Sequence, residues 1–180
     1  MLPLVQIKDC SISFAQQKEI TSVVKNISFQ IPRGKITALI GESGSGKSVT
    51  ALSFLQLLPN TAITSGSMLF SEDGITEENL LALSKEKMQQ LRGNKIAMIF
   101  QEPMTSLNPV HTCGVQVMEA LILHKKLTKK EATQATIELF KKVELPKPEQ
   151  IINRYPHQIS GGQKQRVMIA MAMSCDPSLL

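Results

Sequence analysis

The alternation of apolar and polar positions gives the chain two opening segments of strand type. Val5 to Phe14 and Val23 to Ile31 alternate with a period of two and are rich in β-branched and aromatic residues, with the polar stretch Ala15 to Ser22 between them. This pattern predicts an antiparallel pair. Pro32-Arg33-Gly34 is a turn signal, and the unbroken apolar run Ile36 to Ile40 that follows predicts a strand buried on both faces. Ser48 to Leu58 places Val49, Leu52, Leu55 and Leu58 at helical spacing, and Pro59-Asn60 ends that helix. Met68 to Phe70 reads as a short strand and Glu77 to Leu91 as an irregular polar helix. Lys95 to Phe100 reads as a second buried strand that stops at Gln101-Glu102-Pro103. From Thr112 the period becomes helical. Val115, Met118, Leu121 and Ile122 define one helix; Ala132, Ala135, Ile137, Leu139 and Phe140 define another, closed by Pro146 and Pro148. A last helix is expected from about Gly162 to just before Asp176-Pro177.

With 180 residues, 42% hydrophobic and 19% charged, the chain suits one globular domain and excludes disordered, collagen-like and coiled-coil classes. Twenty basic against fifteen acidic side chains leave +5, and the whole excess lies in residues 91–180, which carry twelve basic and seven acidic groups. Much of it is in Lys125, Lys126, Lys129, Lys130, Lys141 and Lys142, where Glu131, Glu138 and Glu144 are interspersed, so a solvated helix face is the expectation. Cys10, Cys113 and Cys175 are odd in number and far apart, which points to reduced thiols, and His111, His124 and His157 lack ligand spacing. The opening MLPLVQIKDC lacks the basic and apolar regions of a secretion signal. The longest apolar run, Val167 to Cys175, is about half of the ~20 residues that cross a bilayer. A link to a membrane is therefore expected to run through a partner.

The chemistry begins at Gly41-Glu42-Ser43-Gly44-Ser45-Gly46-Lys47-Ser48, which fits G-x-x-x-x-G-K-[ST] between a predicted strand and a predicted helix. Glycines let successive backbone N–H groups face a phosphate, and the helix N-terminus adds its positive dipole end. Lys47 is placed to reach β- and γ-phosphate oxygens, and the Ser48 hydroxyl to ligate a Mg²⁺ ion that bridges them. Kinases, GTPases and many ATPases share this loop. A second glycine turn, Ile159-Ser160-Gly161-Gly162-Gln163, also opens onto a helix and also suits an anion, although a plain N-cap would use the same residues.

Taken together, Gly41 to Ser48, Gln101 after a strand, and Ser160-Gly161-Gly162-Gln163 resemble the ATP-binding cassette (ABC) ATPase family, with Ile159 in place of the usual leucine. FQEPMTSLNP (Phe100 to Pro109) and RYPHQISGGQKQRV (Arg154 to Val167) resemble its bacterial peptide- and nickel-importer branch. The resemblance spans nearly the whole chain. It implies an α/β fold: a P-loop core with a parallel sheet, a small antiparallel β subdomain, and an α-helical subdomain at about residues 103–160. It also implies a cofactor, ATP with Mg²⁺, contacted by Gly41, Ser43, Gly44, Ser45, Gly46, Lys47, Ser48 and Val49. Phe14 takes the place of the aromatic that stacks on adenine, and a core-facing strand residue is its alternative role. Lys47 and Gln101 carry the catalytic roles, with Ser48 and Gln101 on the metal. Ser160, Gly161, Gly162 and Gln163 are expected to meet the nucleotide of a second cassette packed head to tail, in a homo- or heterodimer.

The implied partners beyond that dimer are transmembrane permease subunits and, indirectly, an extracytoplasmic substrate-binding protein; nucleic acid is not expected. The implied place is the cytoplasmic face of the membrane. In the family an Asp-Glu pair follows the strand that Leu179-Leu180 would open, so the chain is expected to be a C-terminally truncated cassette, inactive alone. Two other readings stand beside this one, a soluble ABC ATPase acting on nucleic acid or the ribosome and a non-catalytic nucleotide-binding remnant. Gln101 and Ser160 are only 59 positions apart, too close for the long coiled-coil insertion of chromosome-type members.

Overall fold

The antiparallel pair expected at the start of the chain is present, and both strands are longer than the alternation alone marks out. In the computed structural model, which describes residues 1–16, 19–100 and 106–180, strands β1 (Val5–Gln16) and β2 (Glu19–Ile31) pair from Val5↔Ile31 to Gln16↔Glu19. β3 (Ala62–Phe70) lies on the other edge of β1, and β4 (Glu78–Asn79) pairs with β3, giving the all-antiparallel order β2-β1-β3-β4. The β1–β2 register slips between Ile7 and Cys10, where Asp9 takes a left-handed φ of 49° and its N–H donates to Ser28 Oγ at 2.8 Å. The bulge keeps Val5, Ile7, Cys10 and Ile12 buried despite the broken alternation.

This sheet belongs to the unit Met1–Gln89, which also contains α1 (Lys47–Ser53) and most of α2 (Lys85–Leu91). The chain start is tied to it by Arg33, whose guanidinium donates to the carbonyls of Leu2 (3.2 Å), Glu72 (2.7 Å) and Ser71. The run Ile36 to Ile40 is not a strand here. Ile36, Leu39 and Ile40 are 102%, 49% and 90% exposed. A strand buried on both faces needs neighbours on both edges and layers above and below it, and the described residues of this unit supply neither.

The second unit, Gln90–Leu180, is helical. Its α3 (Cys113–Lys125), α4 (Lys129–Lys142), α5 (Pro148–Ile151) and α6 (Gly161–Met173) surround a core that includes Val117, Leu121, Phe140, Ile151, Val167 and Met168. Three side-chain caps fix the helix starts: Thr112 for α3, Thr128 for α4 and Ser160 for α6, the last two as full capping boxes with Glu131 and Gln163. Gly114 is where α3 meets the segment before Arg154. Its N–H donates to Ile152 O at 3.0 Å, and a Cβ there would come within 2.5 Å of that oxygen. Lys95 to Phe100, expected as a buried strand, makes isolated parallel bridges at Ile96, with Leu179 and with Arg92. Ala97 N–H donates to Leu179 O at 2.9 Å, and Leu179 N–H to Lys95 O at 3.1 Å.

Candidate functional site

The loop 41–46 is shaped by two glycines that need to be glycine for different reasons. Gly44 has φ 81° and a Cβ there would meet nothing within 4 Å, so only its backbone angle excludes a side chain. Gly46 has φ 91°, and a Cβ would also lie 2.7 Å from Val24 Cγ2 and 3.2 Å from Val23 O. The start of α1 is therefore pressed onto β2. The loop closes on itself through Ser45 N–H to Glu42 O at 3.2 Å. No side chain caps α1 at Gly46, which leaves the first N–H groups of the helix turned to whatever occupies the loop.

Lys47 arches back over this loop. Its ammonium donates to Gly41 O at 2.8 Å, Glu42 O at 2.6 Å and Ser45 Oγ at 3.4 Å, so the cation is held where the exposed loop opens to solvent. Ser48, one residue into the helix, is exposed, and its hydroxyl has no hydrogen bond among the described residues. One free hydroxyl beside a phosphate-shaped loop is what a magnesium ion requires of a protein when phosphates and waters supply its other ligands. The described residues contain no group of three His, Cys, Asp or Glu that would hold a metal by themselves. Val49 follows, half-buried.

The periodicity misplaces the inner face of α1. Thr50 and Ser53, not the Val49 and Leu52 positions, are the fully buried ones. Thr50 Oγ1 donates to Gly46 O at 2.9 Å, and the Thr50 N–H donates to the same oxygen at 2.8 Å. Two donors on one carbonyl fix the Gly46 peptide, and with it the direction of the loop's last turn. Ser53 Oγ donates to Thr50 O at 2.6 Å and lies 3.4 Å from Met68 Sδ of β3. Gln56 Nε2 ties the end of the helix to Leu80 O (2.7 Å) and Leu83 O (3.1 Å). None of these three polar anchors stands out in the sequence; the only signal is a hydroxyl four residues after the loop's last glycine.

Phe14 pairs with Thr21 on β2 and Ala62 on β3 and is half-buried. The strand's two-residue alternation puts it on the same face as Ile12, which is paired with Val24, the residue that Gly46 touches. Phe14 and the loop thus share one face of the sheet. Gln101 lies outside the described residues.

In the second unit, the approach to the glycine turn is rigid. Tyr155 and His157 stack with ring centroids 5.6 Å apart and planes 13° off parallel, and Tyr155 N–H donates to the Gln158 side chain at 2.9 Å. Ser160 N–H donates to Gln163 Oε1 at 3.0 Å, and Gln163 N–H to Ser160 Oγ at 3.3 Å. Ser160, Gly161 and Gly162 are all exposed, and a Cβ on either glycine would meet nothing within 4 Å. Arg166 anchors α6 to the end of α4, donating to Val143 O (2.5 Å), Glu144 O (3.2 Å) and the Glu144 carboxylate (3.2 Å). A cation at a helix C-terminus, here that of α4, is electrostatically favourable. All three cysteines are buried, and burial pushes the Cys10 and Cys113 thiols above their ordinary range.

A phosphate-type loop opening a helix against an antiparallel sheet, together with a glycine-led helix start in a helical unit, defines the ATP-binding cassette class of α/β P-loop proteins. The chain belongs to the ABC transporter family, whose model matches residues 24–180. It is 49% identical over 180 residues to the peptidoglycan transport ATP-binding protein YejF of Agrobacterium fabrum, covering 99% of this chain and 32% of that protein. It is 43% identical over 180 residues to the oligopeptide transport ATP-binding protein AppD of Bacillus subtilis, covering 100% of this chain and 54% of that one. The chain thus spans about half or less of the length of these relatives. Among solved structures it resembles a dimeric ATP-binding cassette in a post-hydrolysis state bound to ADP and Pi, with a TM-score of 0.80 and 28% identity over 96% of this chain and 70% of the other.

Proposed function

We propose that the chain is the nucleotide-binding portion of an ATP-hydrolysing subunit that powers import of peptides through a membrane permease. The observation that carries this is the Lys47 ammonium held by the Gly41 and Glu42 carbonyls at the uncapped start of α1. In this reading Gly41, Ser43, Gly44, Ser45, Gly46, Lys47, Ser48 and Val49 enclose the phosphates of ATP. The Lys47 ammonium exchanges its carbonyl acceptors for phosphate oxygens, and Phe14 receives the adenine from the sheet face that it shares with the loop. Ser48 would hold Mg²⁺ together with Gln101, and the metal would neutralise phosphate charge there. One of these relatives is named for oligopeptide transport and the other for peptidoglycan transport, and neither for nickel, which favours a peptide cargo over nickel.

Ser160, Gly161, Gly162 and Gln163 are assigned to the nucleotide of a second cassette, as a homo- or heterodimer. Their support is that neither glycine is required by a positive φ or by a neighbour within the described residues, so a close approach from outside the chain explains them best. The wider assembly would be permease subunits fed by an extracytoplasmic binding protein, with this subunit peripheral at the cytoplasmic face. No described helix is long and apolar enough to cross a membrane. Residues 103–160 would form the helical subdomain.

The test is calorimetric titration of the purified chain with Mg·ATP, beside Lys47→Ala. Losing charge-assisted bonds of about 2–4 kcal/mol in sum predicts a roughly 30- to 1,000-fold weaker affinity. The carbonyls released by the substitution are on exposed residues and rehydrate, so stability should hardly move. Equal affinity for the two proteins would overturn the assignment.

A further inference from the structure

The corner between α3 and α4 concentrates positive charge that the acidic groups among the described residues only partly answer. Lys125 closes α3, Lys126 and Thr128 flank Leu127, and Lys129 and Lys130 open α4. All four lysines are exposed, while Leu127 packs against the helical core and so fixes the corner that presents them. In the sequence the interspersed glutamates suggest a solvated face; in the structure only Glu131 stays at the corner, so four lysines face one of these carboxylates there, while Glu138 and Glu144 pair with other cations. Glu131 takes the N–H and hydroxyl of Thr128 at 2.8 and 2.6 Å, Glu138 pairs with Lys141 at 2.9 Å, and Glu144 pairs with Arg166 at 3.2 Å. Among the described residues Lys126, Lys129 and Lys130 have no acidic partner, and Lys125 has only the exposed Asp176 at 4.0 Å.

Two further observations separate this corner from an ordinary solvated face. Lys129 and Lys130 are the first two residues of α4, at the positive end of its dipole, where cations cost stability. A local choice that opposes the helix it belongs to points to a role outside folding. The last turn of α3 also exposes Ile122 (42%) and Leu123 (58%), separated from Lys125 by His124 alone. Cations with apolar side chains beside them, on an exposed helix–helix corner, match a surface of anionic headgroups over an apolar layer.

We propose that Lys125, Lys126, Lys129 and Lys130, with Ile122 and Leu123, form a contact for an anionic lipid surface. The contact goes beyond the nucleotide reading and does not depend on it. It would hold the helical unit against a membrane with salt-sensitive strength. At about fivefold per lysine, from about 1 kcal/mol each, the four contribute roughly a hundred- to a thousandfold in partitioning.

The experiment is co-sedimentation of the purified chain with vesicles of equal parts phosphatidylglycerol and phosphatidylcholine, and with vesicles of phosphatidylcholine alone, at low and high salt. The chain should bind the anionic vesicles, lose them as salt rises, and bind the zwitterionic ones far more weakly. Replacing all four lysines by glutamine should reduce anionic binding about a hundredfold or more, replacing them by arginine should preserve it, and circular dichroism should show both variants folded. Equal binding to the two vesicle types, or unchanged binding by the glutamine variant, overturns the proposal. Binding to soluble polyglutamate without binding to vesicles would overturn it too, in favour of an acidic protein segment.

Discussion

Gly44 and Gly46 offer a controlled comparison, because the same substitution meets the same backbone penalty at both and a packing penalty at only one. An alanine at φ 81° or 91° costs about 1–2 kcal/mol for the left-handed angle, offset by about 0.5 kcal/mol because the unfolded chain also loses freedom. At Gly44 that is the whole effect, since a methyl there enters open space. Gly44→Ala should therefore destabilise by about 1 kcal/mol. At Gly46 the methyl falls 2.7 Å from Val24 Cγ2, and Val24 cannot easily yield, being buried, β-branched and paired with the fully buried Ile12 of β1. Overpacking of this kind adds about 1–3 kcal/mol, so Gly46→Ala should destabilise by about 2–4 kcal/mol. Urea unfolding followed by circular dichroism at the helix band measures both. Equal losses, or a larger loss for Gly44→Ala, would refute the claim that the loop is braced against β2.

Thr136 Oγ1 is a buried hydroxyl without a partner among the described residues, so Thr136→Val should raise the urea midpoint by the equivalent of about 1 kcal/mol; a lowered midpoint would mean that the hydroxyl is in fact satisfied. Asp73 accepts the N–H groups of Ile75 and Thr76 and the Thr76 hydroxyl, each at 2.8 Å, and these bonds lower its carboxyl to about 2. The ionised form makes the bonds, so their contribution is complete above the unfolded carboxylate range near 4 and is lost as the pH falls through about 2. Asp73→Asn should accordingly be less stable than the parent at neutral pH and converge with it in acid; a gap that stays constant with pH would remove the titration from the account.

The elements whose apolar face is local and one-sided were legible. The helices around Val117, Phe140 and Val167 follow their period because each buries one stripe within its own unit, and β1 does so on either side of its bulge, at Val5 and Ile7 and again at Cys10 and Ile12. Ile36 to Ile40 was misread for the complementary reason: an unbroken apolar run records that something covers both faces without recording what does, and within its described unit nothing does. The sequence also misassigned the inner face of α1. Thr50 and Ser53 look like outward polar positions, yet both are buried because backbone carbonyls of the same helix satisfy their hydroxyls. Arg33 and Gln56 were invisible as anchors, since each bonds to carbonyls more than twenty positions away, and carbonyls leave no trace in a sequence.

The two glycine turns show how a motif and a structure inform each other. At 41–48 the motif names the residues, and the structure gives an internal reason for Gly46 in Val24 and for the Lys47 position in two carbonyls. At 160–163 the motif again names the residues, but the fold uses only the serine and the glutamine, which cap each other. Gly161 and Gly162 lie at helical positions, where glycine is about 1 kcal/mol worse than alanine, with open space where a side chain would stand. A helix start carrying two such residues is weaker than it needs to be for its own folding. The proposed contact with a second cassette's nucleotide would account for this cost, because an anion at a helix N-terminus could then come closer to the backbone than a methyl group allows.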